Sequence, residues 1–338
     1  MATKLQNPEQ MVSDSAAESH LDCPVCYTSI EMVAPLRTAG SYSLFECSSC
    51  GVQFWNPFKR IGSTWYEDFY TGRLKSIPPL EPGHKFFLAD PKAPKKCRLF
   101  DIGCGVGNFM AVARAQGYDV AGIDWDTKAI QTGKEVLDLK RIFPMSIEEY
   151  AEENSGETFD VVSFFEVLEH QDDPVGFMSQ VRRLVKPGGY IALSVPNRNR
   201  FQKGLDTTDL PPNHLTRWNP EVLKKFLGRQ GFEIISCQEE PLSLRRTALM
   251  LSAAVPTGLA RAVLGGTQPN STEVAENPEK ARAAFKEQER LGKSLITTVL
   301  IWCKNSAFFL PAIFCLPLLR AKGYPGIYLY CLAKLKDS

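Results

Sequence analysis

At 338 residues the chain is too long for a mini-protein and suits one large domain with a smaller one attached. Hydrophobic residues at 44% and charged residues at 23% describe an ordinary globular chain able to bury a core. Lys and Arg together number 39 against 38 Asp and Glu, a formal charge of +1, so the bulk charge shows no basic excess of the kind that nucleic-acid binding favours.

Residues 1–20 are polar, lack the charged-then-apolar pattern of a secretory signal and read as a disordered tail. A cytoplasmic chain with reduced thiols is therefore expected. A cysteine-rich segment follows over residues 21–57. Cys23-Pro24-Val25-Cys26 and Cys47-Ser48-Ser49-Cys50 are two CxxC knuckles with twenty residues between their inner cysteines. Each knuckle offers two thiolates, and two knuckles complete a tetrahedral S4 set for structural Zn2+, with iron as the minor alternative. Four thiolates leave no position for substrate, so this segment, expected to be a zinc ribbon, staples and does not catalyse. Residues 58–97 hold an aromatic, helical-looking cluster (Trp65, Tyr66, Phe69, Tyr70) and a Pro-rich linker over Ile77–Pro94. The other six cysteines (Cys97, Cys104, Cys237, Cys303, Cys315, Cys331) are scattered and read as small hydrophobes.

From Arg98 short apolar runs alternate with amphipathic stretches, the pattern of βαβ units around a parallel sheet. Strands are expected at Arg98–Ile102, Asp119–Ile123, Phe159–Phe164 and Tyr190–Val195, with another at Gly231–Ile235. Helices are expected to start near Asn108, Thr127, Pro174 and Pro220, the last capped by Asn219. Lys186-Pro187-Gly188-Gly189 is a turn signal just before a strand. The first strand runs into Gly103-Cys104-Gly105-Val106-Gly107, a turn that lets a ligand approach the backbone beside a helix N-terminus. Position 108 is Asn, so the dinucleotide fingerprint Gly-x-Gly-x-x-Gly is not met. Asp101, two residues before the first glycine, would repel a pyrophosphate but accept hydrogen bonds from an ammonium group. Asp124, ending the second strand, suits the two hydroxyls of a ribose, and Trp125 could lie against an adenine face.

These residues, Asp101-Ile102-Gly103-Cys104-Gly105-Val106-Gly107, Asp124, the stretch Phe159–His170 and Leu184-Val185-Lys186-Pro187-Gly188-Gly189-Tyr190, resemble the class I S-adenosylmethionine-dependent methyltransferases. The branch that includes the ubiquinone-biosynthesis O-methyltransferases and many small-molecule and sugar methyltransferases is the nearest in pattern. The resemblance covers about Arg98 to Gln238. It implies an α/β, Rossmann-like fold with a seven-stranded methyltransferase sheet whose last strand is antiparallel. Gly326–Leu332 is the candidate for that strand. The expected organisation is thus a tail (1–20), zinc ribbon (21–57), aromatic segment and linker (58–97), methyltransferase core (98–241), a helical apolar insertion or lid (242–323), and a closing strand and tail (324–338). The resemblance places Asp101, Gly103, Cys104, Gly105 and Gly107 at the methionine end of S-adenosylmethionine, Asp124 at the ribose and Trp125 at the adenine. It adds Ser146, where relatives often carry an acid, and Phe165 to the cofactor's surroundings. The knuckles followed by Phe54-Trp55-Asn56-Pro57 also resemble zinc-ribbon methyltransferases linked with cell-envelope glycan or sugar modification.

Methyl transfer from a sulfonium is an in-line displacement that needs an oriented acceptor and, for a hydroxyl, a proton acceptor. Glu166, Glu169 and His170 follow the fourth strand, where this architecture points at the transfer site. In the quinone-pathway relatives a Glu-x-x-Glu-His stretch binds a divalent ion such as Mg2+, and Glu166-Val167-Leu168-Glu169-His170 matches it. The same stretch also occurs in metal-free methyltransferases, where it supports packing or lines the pocket. His170, Glu166 and His214 are the catalytic candidates. His214 lies in Pro211–Trp218, which reads as an ordered loop over the acceptor, although a plain surface histidine also fits. Tyr66 and Tyr70, at i,i+4 spacing, read as core packing or a cofactor cover. No Asn/Asp-Pro-Pro-Tyr segment of the kind found in nucleobase amino-methyltransferases stands at the end of the fourth strand. Oxygen or carbon is therefore favoured over an amine.

Beyond Pro241 the regularity fades. Leu295–Leu319 is apolar, but Lys304-Asn305-Ser306, Pro311 and Pro317 divide it below the roughly twenty residues that span a bilayer. A lid over the acceptor, or a peripheral contact with the cytoplasmic face of a membrane, remains open. The expected partner is a small-molecule, glycan-precursor or lipid-like acceptor. A zinc-ribbon RNA methyltransferase and a catalytically silent cofactor-binding protein are the alternatives. The oligomeric state is not legible.

Overall fold

A computed structural model of the chain describes residues 20–31, 34–59, 77–200, 209–254 and 307–336. The aromatic cluster at Trp65, Tyr66, Phe69 and Tyr70, Cys303, and most of the expected insertion lie outside them. Near the amino end His20–Asp22 (β1) and Ser29–Glu31 (β2) form a hairpin that carries the first knuckle between them. Arg37–Ala39 (β3), Tyr42–Glu46 (β4) and Gln53–Asn56 (β5) follow as an antiparallel meander, with the second knuckle between β4 and β5. The Pro-rich segment expected to be linker contains a helix, Pro82–Ala89 (α1). Its start is locally specified. Pro82 sits at the first helical position, and Glu81 and His84 close a reciprocal capping box.

The core alternates as anticipated: Arg98–Ile102 (β6), Asn108–Ala115 (α2), Asp119–Ile123 (β7), Thr127–Val136 (α3), Ile142–Phe143 (β8), Ile147–Glu153 (α4), Phe159–Phe165 (β9), Pro174–Leu184 (α5) and Val185–Pro196 (β10). Next come Thr216–Arg217 (β11), Pro220–Arg229 (α6), Phe232–Pro241 (β12), Leu244–Ala254 (α7), Phe309–Ala321 (α8) and Pro325–Leu335 (β13). Side-chain caps set several helix starts. Asp126 accepts from the amides of Lys128 and Ala129, Asp173 from Gly176, and Asn219 from Val222. The Lys186–Gly189 signal is not a turn before the strand but an irregularity inside β10, where the pairing with β9 shifts between Val185 and Tyr190. Pro317 lies inside α8, so it does not interrupt that helix as the sequence suggested. Among the described residues no helix is long and apolar enough to cross a membrane.

Seven strands form one sheet in the order β12-β13-β10-β9-β6-β7-β8. The pairs from β10 to β8 are parallel, and β13 runs antiparallel to both neighbours, closing the sheet as the resemblance implied. Chain order reverses between β6 and β9, and a crevice opens at the carboxyl ends of parallel strands at such a switch point. Near-continuous apolar runs in β9 and β10 match strands covered on both faces.

The ribbon is tied into this frame. β11, from the core side of the chain, pairs with β5 and completes a four-stranded sheet β11-β5-β4-β3. Cys23, Cys47, Cys50, Val52 and Phe54 share one buried cluster with Trp218, Val222 and Leu223. Arg198 donates to the carbonyl of Gly51 at 2.6 Å. Gly107, with φ of 77°, starts α2, and a Cβ there would collide with Leu139 Cδ1. Gly107→Ala is therefore expected to cost about 2 kcal/mol through left-handed strain and overpacking. Urea unfolding checks this, and a change below about 0.5 kcal/mol would contradict the packing described.

Candidate active site

The turn from β6 into α2 is built on left-handed backbone at Gly103, Gly105 and Gly107. The amides of Gly103 and Cys104 donate to the carbonyl of Ile123 at 2.9 and 3.0 Å, fastening the turn to the end of β7. Asp124 completes the attachment. Its Oδ2 accepts from Gly105 N at 2.8 Å and its Oδ1 from Asp126 N at 2.9 Å, and the backbone of Trp125 also hydrogen-bonds to this carboxylate. A Cβ placed on Gly105 would meet nothing within 4 Å, so open space faces this part of the turn. Trp125, beside Asp124, is 44% exposed.

Asp101, next to last in β6, has only 3% of its surface exposed. Ser163, its register partner on β9, donates from Oγ at 2.6 Å. Burial pushes the Asp101 carboxyl up to about 7 against the lowering pull of Ser163, and the charge of Asp124 adds to the rise. Two carboxylates therefore flank an open glycine turn, an arrangement that attracts a cation and repels a pyrophosphate. An aromatic layer packs against Phe109 in the first turn of α2. The His84 ring stacks on Phe109 at 4.8 Å and meets Phe165 edge-on at 4.8 Å. Asn108 Nδ2 donates to the carbonyls of Pro78 and Pro79, holding the segment before α1 to the start of α2. Ser146 is less available: its hydroxyl caps α4, accepting from Glu149 N at 3.1 Å.

The segment after β9 carries a second set of groups. Glu166 has φ of 55°, a left-handed conformation uncommon for a side-chain residue, and its Oε1 accepts from Ser194 Oγ at 2.8 Å. Burial raises its carboxyl to about 8, and the Glu81 charge contributes. Glu169 and His170 sit on a single turn of 3-10 helix, Leu168–His170. His214 is not the surface histidine that its loop suggested. Its side chain is 12% exposed, 4.8 Å ring to ring from His170, and burial with Arg200 and Arg217 nearby lowers it to about 3. Leu215 binds this loop on two sides: its N–H donates to Glu169 O at 2.8 Å and its carbonyl accepts from Trp55 N at 3.0 Å. The carboxylate and imidazole atoms of Glu169, His170 and His214 lie within 4.8 Å of one another, a grouping that does not include Glu166.

In the ribbon, Cys23 Sγ lies 3.7 Å from Cys50 Sγ, and Cys26 Sγ 3.6 Å from Cys47 Sγ. A tetrahedral ion with metal–sulfur bonds of about 2.3 Å would set its sulfurs about 3.8 Å apart, so the four thiols fit such an ion. Sequence reasoning missed Glu81, His84, Ser163 and Asp209. The first two carried a local signal, the Glu-Pro-Gly-His capping pattern. Ser163 becomes relevant only through strand pairing, and Asp209 only through a loop fold that brings its Oδ1 to 3.4 Å from His214 Nδ1.

Residues 77–237 match the family described as a methyltransferase domain. This part of the chain is a methyltransferase domain. Among curated relatives, the ubiquinone biosynthesis O-methyltransferase of Thiobacillus denitrificans is 40% identical over 151 residues, covering 42% of this chain and 62% of the relative. That of Aliivibrio fischeri is 31% identical over 154 residues, with the same two coverages. The chain thus spans just under two thirds of the length of these relatives. A SAM-dependent methyltransferase structure from Archaeoglobus fulgidus is 17% identical and covers 81% of this chain and 94% of its own, with a TM-score of 0.41. The strand order of the methyltransferase domain, with β13 reversed, assigns the fold without it.

The buried Asp101 has a cost in stability that its removal exposes. The folded state holds the proton up to about pH 7, against a reference value of 3.8. The contribution of this group is therefore full below about pH 4 and lost as pH rises through 7. Asp101→Asn is expected to stabilise the methyltransferase domain by about 1–3 kcal/mol near pH 8 and hardly at all near pH 4.5. Urea unfolding at both pH values checks this, and equal shifts at the two would contradict it.

Proposed function

We propose that the protein transfers a methyl group from S-adenosylmethionine to oxygen or carbon of a small-molecule acceptor, a hydroxylated sugar, glycan precursor or lipophilic metabolite. One observation carries the reading: an open, left-handed glycine turn lies between the carboxylates of Asp101 and Asp124. A sulfonium-bearing nucleoside with an amino-acid end suits that electrostatics, whereas a dinucleotide places its pyrophosphate against the turn. The bound cofactor supplies an electrophilic methyl group, and the protein's own residues orient and shield it.

In this reading Asp124 meets the ribose hydroxyls, Trp125 offers its face to the adenine, and Gly103, Cys104, Gly105 and Gly107 shape the backbone at the methionine end. Asp101 holds the turn's negative charge next to the ammonium group. Phe165, Phe109 and His84 exclude water at the first turn of α2. Glu166 is the proposed proton acceptor for an acceptor hydroxyl. Its carboxyl near 8 matches a group that takes a proton around neutral pH. The four-cysteine ribbon, with Zn2+ bound, stabilises the loop that carries His214. A lipophilic acceptor met at a membrane surface is supported by α8, which exposes Leu310, Ile313, Phe314 and Leu318 alongside Arg320.

Incubation of the purified full chain with methyl-labelled S-adenosylmethionine and a cell extract tests the reading. Label in a lipid, glycan or other small-molecule fraction is expected. Glu166→Gln is expected to lower turnover by roughly 10²-fold or more while cofactor affinity changes little. Label in RNA alone would favour the nucleic-acid alternative, and label nowhere the silent one.

A further inference from the structure

We propose that Cys237 and Cys331 form a reversible modification site, which a hydroperoxide converts into a disulfide linking β12 to β13. The two thiols are far apart in the sequence, where they read as unrelated small hydrophobes. The fold sets them opposite each other as register partners in the antiparallel pairing of β12 with β13, flanked by the pairs Ser236–Leu332 and Gln238–Tyr330. Register partners in an antiparallel pair hold their Cα atoms about 4.5–5.5 Å apart with side chains on one face. That separation falls inside the range of about 4.4–6.8 Å that a disulfide spans. Cys331 belongs to the buried apolar cluster that also holds Leu223 and Phe226 of α6, and Cys237 packs against the same cluster. Both are free thiols, and neither belongs to the four-cysteine cluster of the ribbon.

The two sulfurs differ in access and in acidity. β12 is an edge strand of the sheet, and Cys237 is partly exposed on it, whereas Cys331, one strand further in, is 0% exposed. The Cys331 thiol donates a hydrogen bond to the Cys237 sulfur, and the Lys224 charge lies nearby, so Cys237 is held below the usual thiol range against the opposing effect of burial. The same bond, with burial, pushes Cys331 well above that range. An accessible thiol of lowered pKa beside a second thiol that can resolve it is the arrangement that peroxide oxidises selectively. The Cys237 sulfur attacks one oxygen of hydrogen peroxide, the O–O bond breaks, and the other oxygen leaves as water with the Cys237 proton. The Cys331 sulfur then attacks the resulting sulfenic sulfur, the S–O bond breaks, and the second oxygen leaves as water with the Cys331 proton. Two thiols and one peroxide thus give one disulfide and two waters, and a thiol reductant reverses the link by exchange. The link closes a loop that contains α7 and α8, fastening the outermost strand to its neighbour.

The test needs no methyl donor or acceptor, so it stands apart from the methyl-transfer reading. The full chain, loaded with Zn2+ to occupy the ribbon thiols, is treated with hydrogen peroxide, unfolded in urea with iodoacetamide and digested with trypsin without reductant. The tryptic peptides 230–245 and 323–334 each contain a single cysteine, so mass spectrometry reads the pair directly. After peroxide the two peptides should appear joined, with most of their alkylated forms lost, and dithiothreitol should restore them. Cys331→Ser should instead leave Cys237 as a sulfenic acid that dimedone captures, and Cys237→Ser should leave Cys331 a free thiol. Wild-type peptides still fully alkylated after peroxide would overturn the proposal whatever the variants do. Cys237 joined to a different cysteine, or dimedone captured at Cys331 in place of Cys237, would overturn it as well.

Discussion

The carboxylate of Asp124 is the constraint on which the rest of the site rests. It receives the Gly105 amide across the gap between β6 and β7 and so sets the shape of a turn whose glycines carry no side chains to do so. The turn, in turn, leaves Asp101 at its base, buried beside Ser163 and within the influence of the Asp124 charge. Two acidic groups this close in a desolvated crevice oppose each other, and the folded protein tolerates them at a cost in stability. Such a cost is common where a ligand of opposite charge relieves it.

The ribbon adds a second, longer connection. Its strand β5 pairs with β11, and the backbone of Leu215 stands between Trp55 on one side and Glu169 on the other. A change in the position of β5 therefore has a path of two hydrogen bonds to the turn that carries Glu169 and His170. Arg198, reaching the carbonyl of Gly51, and Arg217, reaching Gln53 Oε1 at 2.8 Å, reinforce the junction. The segment that carries the cysteine knuckles thereby packs beyond its own small sheet, because β11 and the buried Trp218 belong to the same assembly.

Much of the core was legible because its signals are local. Strands β6, β7 and β9, the caps at Asn219 and Pro220, and the glycine turn each follow from residues adjacent in sequence. The reversed closing strand was legible only through family resemblance, since nothing in Gly326–Leu332 by itself states a direction. Helix α1 was missed because two prolines before it and Pro91 after it outweighed a capping pattern that was present. The candidate site was legible at Asp101, Asp124, Glu169 and His170 and less so elsewhere. His214 looked like a surface residue because burial of a loop depends on what packs over it, here the ribbon. Ser163 was invisible as a partner of Asp101 because register between non-consecutive strands is a tertiary property.

The account turns on which nucleoside occupies the crevice between β6 and β9. Titration calorimetry of the intact chain with S-adenosylhomocysteine, run beside NADH, addresses this most directly. Saturable heat at one site per chain with the former, none with the latter, and loss of that heat in Asp124→Ala are the predicted results. Binding of NADH with no response to S-adenosylhomocysteine would contradict the account.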